Sequence, residues 1–139
     1  MKVRRAKLKD CKVVSELAKS PELRDNLGKN VPLKYFNEIV KKNKLFLVAE
    51  ENKKVVGFIL GEFLLGRVVY IHLLGVNKAF RGRGIGRKLF ENLKDEAKKK
   101  KSIYLFFFTQ KQYKGSIKFR NSLGISRGKE YISFGQDLS

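Results

Sequence analysis

The sequence of 139 residues contains few residues of several types, and each shortage limits what the protein can be. Its one cysteine, Cys11, excludes an intrachain disulfide framework and is typical of a reducing cytosol. With one histidine and no Cys-x-x-Cys pair, we expect no metal site. No apolar run approaches the ~18 residues of a membrane-spanning helix, and the charge from Lys2 onwards predicts no signal peptide. We therefore expect a cytoplasmic protein that is not a membrane protein.

Acidic residues are also scarce. The chain has 13 of them and 32 lysines and arginines, which gives a net charge of +19. A field of this strength attracts polyanions such as nucleic acid, the ribosome or a polyphosphate ligand. A lysine-rich surface with no particular partner explains the same number equally well. The charge therefore identifies no partner by itself, although nucleic-acid or ribosome association stays open.

Apolar residues make up 42% of the chain, and their spacing predicts a single mixed α/β domain over residues 1–139. Asp10 is expected to cap a first helix, Pro32 to open a second, and Gly124 to follow the last. The run Phe106–Phe108 is expected to be buried, in a strand covered on both faces. The predicted strands are 1–8, Leu45–Ala49, Val55–Leu65, Val68–Val76, Ile103–Phe108 and Glu130–Leu138, and the main helices are Val13–Ala18, Leu33–Val40, Ile85–Lys100 and a short one ending near Leu123.

The third and fourth strands are expected to form a hairpin around the turn Gly66-Arg67. With a two-residue turn, Gly61 pairs with His72 and Glu62 pairs with Ile71. The side chains of Glu62 and His72 then point to opposite faces of the sheet. A β-bulge in this hairpin would change that count.

The segment Phe80–Arg87, with three glycines and three arginines, joins the fourth strand to the Ile85 helix. Glycines allow close approach to backbone N–H groups, and a helix N-terminus adds unsatisfied donors and partial positive charge. Cations are unfavourable there unless an anion is bound, so the segment predicts a pyrophosphate site. The dinucleotide pattern G-x-G-x-x-G fails because Arg87 stands where the third glycine belongs, and the Walker pattern is absent.

The spacing Arg81-x-x-Gly84-x-Gly86, after the strand that ends at Val76, resembles the acetyl-CoA signature of the GNAT superfamily of N-acetyltransferases. The whole stretch Tyr70–Gly86 is similar to the family's fourth strand, turn and third helix. Ile117–Ile125 is similar to the family's last helix and the strand after it. The resemblance implies a mostly antiparallel, twisted central sheet that splays between strands 4 and 5, flanked by about four helices.

The resemblance also implies acetyl-CoA as cosubstrate, bound without a metal in the opening between strands 4 and 5. Its pantetheine arm is expected along the backbone of Leu74 and Val76, with an N–H near Val76 as oxyanion donor. Its pyrophosphate is expected at the glycine turn, with basic side chains, Lys88 among them, neutralising the charge. The cofactor-binding residues are then Leu74, Val76, Arg81, Gly82, Arg83, Gly84, Ile85, Gly86 and Arg87.

The candidate general base is His72, at a strand position where many relatives carry glutamate, with Glu62 as the second candidate. A histidine satisfied on the sheet surface is the competing interpretation. The family's pantetheine-binding asparagine is replaced here by Tyr113, and its acid tyrosine by Arg120. Tyr113 is a candidate acid, and Arg120 either favours the leaving thiolate or is simply exposed.

The resemblance thus implies an enzyme that transfers the acetyl group directly from acetyl-CoA to an amine in a ternary complex. A protein N-terminus, a lysine and a small amine all remain possible acceptors, and the charge favours acidic or RNA-bound ones over cationic peptides. The alternative is a basic nucleic-acid- or ribosome-binding protein on the same fold with little catalysis. Members of the family often form homodimers, and nothing in the sequence decides this.

Overall fold

The computed structural model of the protein describes residues 1–24, 28–43 and 45–139. This part of the chain divides into two compact units, Met1–Phe107 and Phe108–Ser139. The first unit holds the described strands and three helices, and the second holds a fourth helix. Whether residues 1–139 act as one domain stays a prediction.

The first unit is built on a five-stranded sheet in the order β1-β2-β3-β4-β5. Neighbouring strands are antiparallel, except that β4 and β5 are parallel. The predicted fold class, a mixed α/β fold with a mostly antiparallel sheet, is therefore confirmed. The strands are β1 Lys2–Arg5, β2 Phe46–Glu51, β3 Lys54–Leu64, β4 Val68–Val76 and β5 Tyr104–Phe106.

Strands β4 and β5 diverge after a short region of pairing. Their ladder covers only Val68–Tyr70 on β4 and Tyr104–Phe106 on β5. Strand β4 continues to Val76, so five more of its residues, Ile71 and Leu73–Val76, pair with β3 but with no described strand on the other side. This is the splayed arrangement that the family resemblance implied.

The β3–β4 hairpin differs from the predicted register close to its turn. Glu62 pairs with Tyr70 and Gly61 with Ile71, whereas Leu60 pairs with Leu73, so His72 is an extra residue on β4. The predicted pairs of Gly61 with His72 and Glu62 with Ile71 are therefore wrong. The loop has three residues, Leu65–Arg67, instead of two, and the bulge at His72 compensates for the added residue.

The helices of the first unit are α1 Cys11–Leu17, α2 Leu33–Ile39 and α3 Ile85–Lys99. Helix α2 begins directly after Pro32, as predicted. Two single turns of 3-10 helix, Leu8–Asp10 and Pro21–Leu23, precede and follow α1. A third, Lys78–Phe80, lies between β4 and the glycine turn.

Asp10 does not cap α1, contrary to the prediction. Its backbone is already helical, and its carboxylate accepts hydrogen bonds from the Lys7 N–H at 2.7 Å and from Arg4 at 2.8 and 3.0 Å. Arg4 also donates to Glu50 on β2 at 3.0 Å. Asp10 therefore joins β1, β2 and the entry to α1, which is more than a local cap does.

The sheet is covered on both faces. Against one face, α1 and α2 pack through Phe36, which contacts the rings of Phe46 and Phe58 at centroid distances of about 6 Å. Against the other face, α3 buries an apolar stripe that contains Leu89 and Leu93. A Cβ at Gly57 would lie 3.2 Å from the Leu89 side chain, so glycine permits this close approach.

In the second unit, helix α4 covers Lys114–Asn121, and Gly124 follows it with a φ of +75°. The predicted strand Glu130–Leu138 is wrong, because these residues form no regular structure. Their large apolar side chains are exposed, Phe134 at 92%. A strand requires a neighbour for its backbone groups, and the sequence pattern alone cannot supply one.

The prediction that Phe106–Phe108 are buried is also wrong. Strand β5 is three residues long, Phe106 and Phe107 are half-buried, and Phe108 is 60% exposed. Nearby, Tyr104 is 63% exposed. Because β5 pairs only with β4 among the described residues, its outer edge lacks the second strand that the apolar sequence led us to expect. Within the described residues, no helix combines the length and apolar character that crossing a membrane requires.

Candidate active site

The glycine turn adopts the left-handed backbone that only glycine takes without strain. Gly82 has a φ of +78° and Gly84 a φ of +80°, and Gly84 is the residue immediately before α3. A Cβ on either glycine would meet no atom within 4 Å. The backbone conformation, rather than lack of space, therefore explains why glycine stands at both positions.

This turn presents backbone donors at the start of a 15-residue helix. The Lys88 N–H is the first to bond back into the helix, to the Gly84 carbonyl at 3.0 Å. The N–H groups of Ile85 and Gly86 precede it in the first turn, where an α-helix offers its own N–H groups no acceptor. Ile85 contributes only its backbone, because its side chain is buried against the sheet. No acidic residue lies in this first turn, so the site has the charge of an anion-binding helix terminus.

The basic side chains around the turn have different partners. Arg81 donates through Nε to the Val76 carbonyl at 3.1 Å and lies 3.7 Å from the Glu22 carboxylate. The Arg83 guanidinium lies over the Phe80 ring, 5.0 Å from its centroid. Lys88, for which both phosphate neutralisation and simple solvation were considered, donates to the Met1 carbonyl at 3.4 Å. Arg83 thus stays at the turn, whereas Lys88 is directed to the N-terminus of the chain.

Beyond Tyr70, the edge of β4 that faces β5 pairs with no strand among the described residues, and we call this stretch the open edge. The Asn77 N–H donates to the Val56 carbonyl on β3 at 2.8 Å, which fixes the side to which odd-numbered backbone groups point. Because these groups alternate along a strand, those of Leu74 and Val76 point to the open edge. The two residues predicted to bind pantetheine therefore have their backbone groups where an extended ligand can pair with them.

The two candidate bases, predicted to lie on opposite faces, are brought together by the bulge. His72 Nε2 and Glu62 Oε2 are 2.6 Å apart, and the side chains are 30% and 52% exposed. The His72 ring also meets the Tyr70 ring edge-to-face at 4.5 Å. Between a neutral imidazole and an ionised carboxylate the shared proton lies on Nε2, so Nδ1 keeps the lone pair that accepts a proton.

The His72–Glu62 pair opens into a groove of about 720 Å³. Sequence reasoning missed two groove residues, Tyr35 and Glu38, which lie one helical turn apart on α2. Burial, and then the negative charge of Glu62, raise the pKa of the Tyr35 hydroxyl above its ordinary value. The signal that was available is the spacing of Tyr35, Glu38 and Lys42, which places them along one side of α2 and the turn that follows it. The lining residues are Tyr35, Glu38, Ile39, Lys42, Asn43, Glu62, Phe63, His72 and Lys100.

The remaining predicted site residues lie in the second unit. Tyr113 immediately precedes α4, and the Arg120 guanidinium donates to the Phe108 carbonyl at 3.3 Å. The acid role of Tyr113 stays a prediction. For Arg120, the contact to a carbonyl within its own unit is compatible with a structural role.

Among the residues that the structure describes, no group of three or more His, Cys, Asp or Glu is arranged to hold a metal ion. The reactive groups of the first unit are instead an imidazole, a carboxylate and a set of backbone donors. Such groups can accept a proton from a nucleophile and stabilise an oxyanion.

The diverging strands and the glycine turn define the fold of the N-acetyltransferases, and similar structures share it. The structure of yncA from Salmonella typhimurium, solved with its cofactor acetyl-CoA, matches 89% of this chain at 26% identity and a TM-score of 0.75. The match covers 78% of the yncA chain. A ribosomal-protein-alanine N-acetyltransferase from Brucella melitensis covers 89% of this chain at 24% identity and a TM-score of 0.76, with 83% of its own chain aligned. The second likeness supports the fold alone.

The family assignment follows from two further similarities. The model of the acetyltransferase (GNAT) family matches residues 11–125. The uncharacterized N-acetyltransferase MJ1207 of Methanocaldococcus jannaschii is 33% identical over 105 residues, which is 70% of this chain and 46% of the relative. This chain therefore spans about half the length of the curated relative it matches. The chain belongs to the acetyltransferase (GNAT) family.

Proposed function

We propose that the protein transfers the acetyl group of acetyl-CoA directly to an amine, through a ternary complex formed in the first unit. The observation that carries this proposal is the arrangement along β4. Its bulge holds the His72–Glu62 pair, and its end leads into the glycine turn. Four residues, or about 13 Å of strand, separate His72 from Val76. One strand thus links a proton-accepting pair to an anion site.

The residues present fit acetyl-CoA. Left-handed glycines and the first N–H groups of α3 suit its pyrophosphate, and the Leu74 and Val76 backbone suits its amide-bearing pantetheine arm. Acetyl-CoA supplies the activated acetyl group as a thioester. The Val76 N–H lies on the same open edge and is our candidate donor to the oxyanion. Arg81 already bonds the Val76 carbonyl, so this guanidinium must keep or exchange that contact when the ligand binds.

His72 acts as the general base in this proposal. An alkylammonium has a pKa of about 10.4, so the amine must lose a proton before it can attack a carbonyl carbon. The lone pair on Nδ1 accepts that proton, directly or through water, and forms an imidazolium. The Glu62 carboxylate, 2.6 Å from Nε2, stabilises the positive charge. Glu62 is thus the partner that orients the base rather than an alternative to it.

The coenzyme site is tested by calorimetric titration of acetyl-CoA in roughly 0.3 M salt, with ATP and adenosine 3′,5′-bisphosphate as anion controls. We expect saturable one-site binding of acetyl-CoA that is clearly tighter than that of either control. If all three ligands bind equally well and lose affinity together as the salt concentration rises, the arginines recognise only negative charge. Acetyl transfer to a panel of amines, followed by release of the free CoA thiol, then tests the reaction itself.

The second candidate function is nucleic-acid binding. It is favoured by the net charge of +19 and by Tyr104, exposed three residues after the lysine run 98–101. Exposed aromatic rings beside lysines bind single strands by stacking and charge. Tight, salt-sensitive binding of an oligonucleotide, together with no acetyl transfer to any amine, would place this function first.

A further inference from the structure

The groove beside His72 has an acidic end. His72, Glu62 and Tyr35 line the groove together and form what we call its acidic end. Glu38 follows Tyr35 by one helical turn and makes no ion pair with any described cation. Two carboxylates beside the proposed base give this end the charge that attracts an ammonium group. An acceptor amine in its protonated form is therefore favoured here.

Two lysines also line the groove and form what we call its basic end. Lys42 lies in the turn after α2 and follows Glu38 by four residues, and Lys100 directly follows α3. Neither lysine makes an ion pair with a described carboxylate. Lysines on the exposed side of α3 differ, since Lys94 pairs with Glu91 and Lys99 pairs with Glu96. The groove thus offers two uncompensated cations to an anionic group of a ligand whose amine lies at His72.

The exposure of the His72–Glu62 pair also affects which kind of amine can be acetylated in the groove. At pH 7.4 about a quarter of a peptide α-amine is neutral, against about a thousandth of a lysine ε-amine, from pKa values of ~7.9 and ~10.4. With Glu62 52% exposed and His72 30% exposed, the pair lies in a wet site. A wet site gives little help in removing a proton from a strongly basic amine. The α-amine is the acceptor that needs least help.

The size of the groove agrees with a peptide. Its volume of about 720 Å³ lies within the ~300–1,000 Å³ of ligand-binding sites and holds the first two or three residues of a chain. A peptide N-terminus with its amine at His72 places its second and third side chains toward the lysines, at ~3.3 Å per residue. The net charge of +19 adds long-range attraction for an acidic chain.

We propose, on the basis of the proposed acetyltransferase function, that the acceptor is the α-amine of a peptide with acidic side chains at its second and third residues. Glu38 and Glu62 receive the ammonium group, and Lys42 and Lys100 receive the acidic side chains. The amine nitrogen forms the new bond to the acetyl carbon as the carbon–sulfur bond of the thioester breaks. One proton of the ammonium group passes to His72 before the attack, a second leaves the nitrogen to water as the amide forms, and the sulfur leaves as the CoA thiolate.

The test compares acetylation of peptides that share one N-terminal alanine and one neutral tail. Their second and third residues are Glu-Glu, Gln-Gln or Lys-Lys, and a fourth peptide has a blocked N-terminus and a single lysine. For the wild-type protein we expect kcat/KM to fall about tenfold from Glu-Glu to Gln-Gln and further to Lys-Lys. We expect the blocked peptide to be the poorest acceptor.

Charge reversal at the basic end tests the residues. The double variant Lys42→Glu with Lys100→Glu is expected to lower kcat/KM for the Glu-Glu peptide at least ~10-fold and to favour Lys-Lys. The matched control, Lys41→Glu with Lys98→Glu, makes the same change in net charge at neighbouring positions outside the groove. It is expected to leave the ratio of Glu-Glu to Gln-Gln within about twofold of wild type. Circular dichroism and acetyl-CoA titration of each variant check that the fold is kept.

Several results would overturn the inference and leave the proposed function intact. They are equal rates for the three free peptides, faster acetylation of the blocked lysine peptide or of small amines, and an equal effect of the two double variants. The wild-type comparison decides the matter even if a variant fails to fold. If the protein acetylates no peptide and no small amine, the proposed function fails together with the inference.

Discussion

At the scale of single residues, the contact between His72 and Glu62 determines what the groove can do. His72 Nε2 and Glu62 Oε2 are 2.6 Å apart, and with a neutral imidazole beside an ionised carboxylate the shared proton lies on Nε2, which leaves Nδ1 as the accepting atom. An imidazole of the opposite tautomer in the same place would present a donor to the incoming amine. Glu62 therefore selects the tautomer as well as stabilising the charge that follows.

Removing either partner should lower the rate of acetyl transfer without changing acetyl-CoA binding. For His72→Ala we expect kcat to fall by about 10²-fold or more, since general bases contribute 10²–10⁴. For Glu62→Gln we expect a smaller fall. Because the two act as a unit, the double variant should be about as slow as His72→Ala alone. Steady-state kinetics with the Glu-Glu peptide measures this, and Glu91→Gln, a change on α3 outside the groove, is the control.

Strictly additive losses for the two single variants would contradict the pairing. So would a large rise in the dissociation constant for acetyl-CoA with no change in kcat. The first result would separate Glu62 from His72, and the second would make His72 a binding residue. In either case the tautomer argument would fail.

The left-handed glycines give a second prediction at this scale. Gly84→Ala forces a Cβ into a strained backbone conformation, at a cost of about 1–2 kcal/mol, and should displace the N–H donors of the turn. We expect acetyl-CoA binding to weaken about tenfold. The matched control is Gly66→Ala, which has the same φ of +80° and open surroundings but lies in the β3–β4 loop.

Thermal unfolding and acetyl-CoA titration of both variants separate strain from binding. The two variants should lose similar stability, and only Gly84→Ala should lose affinity. Equal affinity for both would show that the turn does not hold the coenzyme.

At the scale of elements, the buried Asp10 carboxylate joins β1, β2 and the start of α1. Burial raises its pKa, but hydrogen bonds from Arg4 and the Lys7 N–H outweigh burial and hold the pKa below its ordinary value near 3.8. A lowered folded-state pKa stabilises the fold above the unfolded value. This stability is lost as the pH falls through the folded value.

Asp10→Asn should therefore lower the free energy of unfolding by about 2 kcal/mol near pH 7, since the half-buried Arg4 then keeps only Glu50 as a charged acceptor. The difference from wild type should shrink as the pH falls below about 4, where the wild-type carboxyl becomes protonated. Urea unfolding at several pH values measures this, with Asp95→Asn on the exposed side of α3 as the control. A difference that stays constant down to pH 3 would show that the charge of Asp10 contributes nothing.

At the same scale, the sequence predicts what short-range chemistry controls. The apolar run Val55–Leu65, the proline before α2 and the glycines before α3 are local signals, and the corresponding elements formed. The strand at Glu130–Leu138 and the full length of the strand at Ile103–Phe108 depended on distant neighbours. The side-chain contact between Glu62 and His72 was not predicted for another reason. It depends on a single added residue in the hairpin loop and on the bulge that goes with it. The groove residues Tyr35 and Glu38 were missed because only tertiary packing brings α2 beside β3.

At the scale of the whole molecule, the net charge of +19 attracts every anionic ligand, whereas in our proposal the glycine turn binds one ligand, acetyl-CoA. Acetyl-CoA is held partly by backbone donors and by strand pairing in our proposal, and these contacts depend weakly on salt. A nucleic acid is held by phosphates alone or by phosphates and stacking, and its affinity falls steeply with salt.

We therefore expect different salt responses for the two kinds of ligand. Between roughly 0.1 and 0.3 M salt, the affinity for a single-stranded oligonucleotide should fall more than tenfold, and that for acetyl-CoA by only a few-fold. Parallel titrations measure the two slopes. Equal slopes would mean that the coenzyme is held by diffuse charge, and the basic surface would then be the functional feature of the protein.

The extra residue at His72 divides β4 into two half-strands that are out of phase by one position. Tyr70 and Leu73, one even-numbered and one odd-numbered, lie opposite Glu62 and Leu60 and so share a face of the sheet. A strand without this extra residue keeps one phase throughout, and none of its residues corresponds to His72. A candidate base in such a strand has to be sought by the face of the sheet on which it lies, because residue number alone does not give that face.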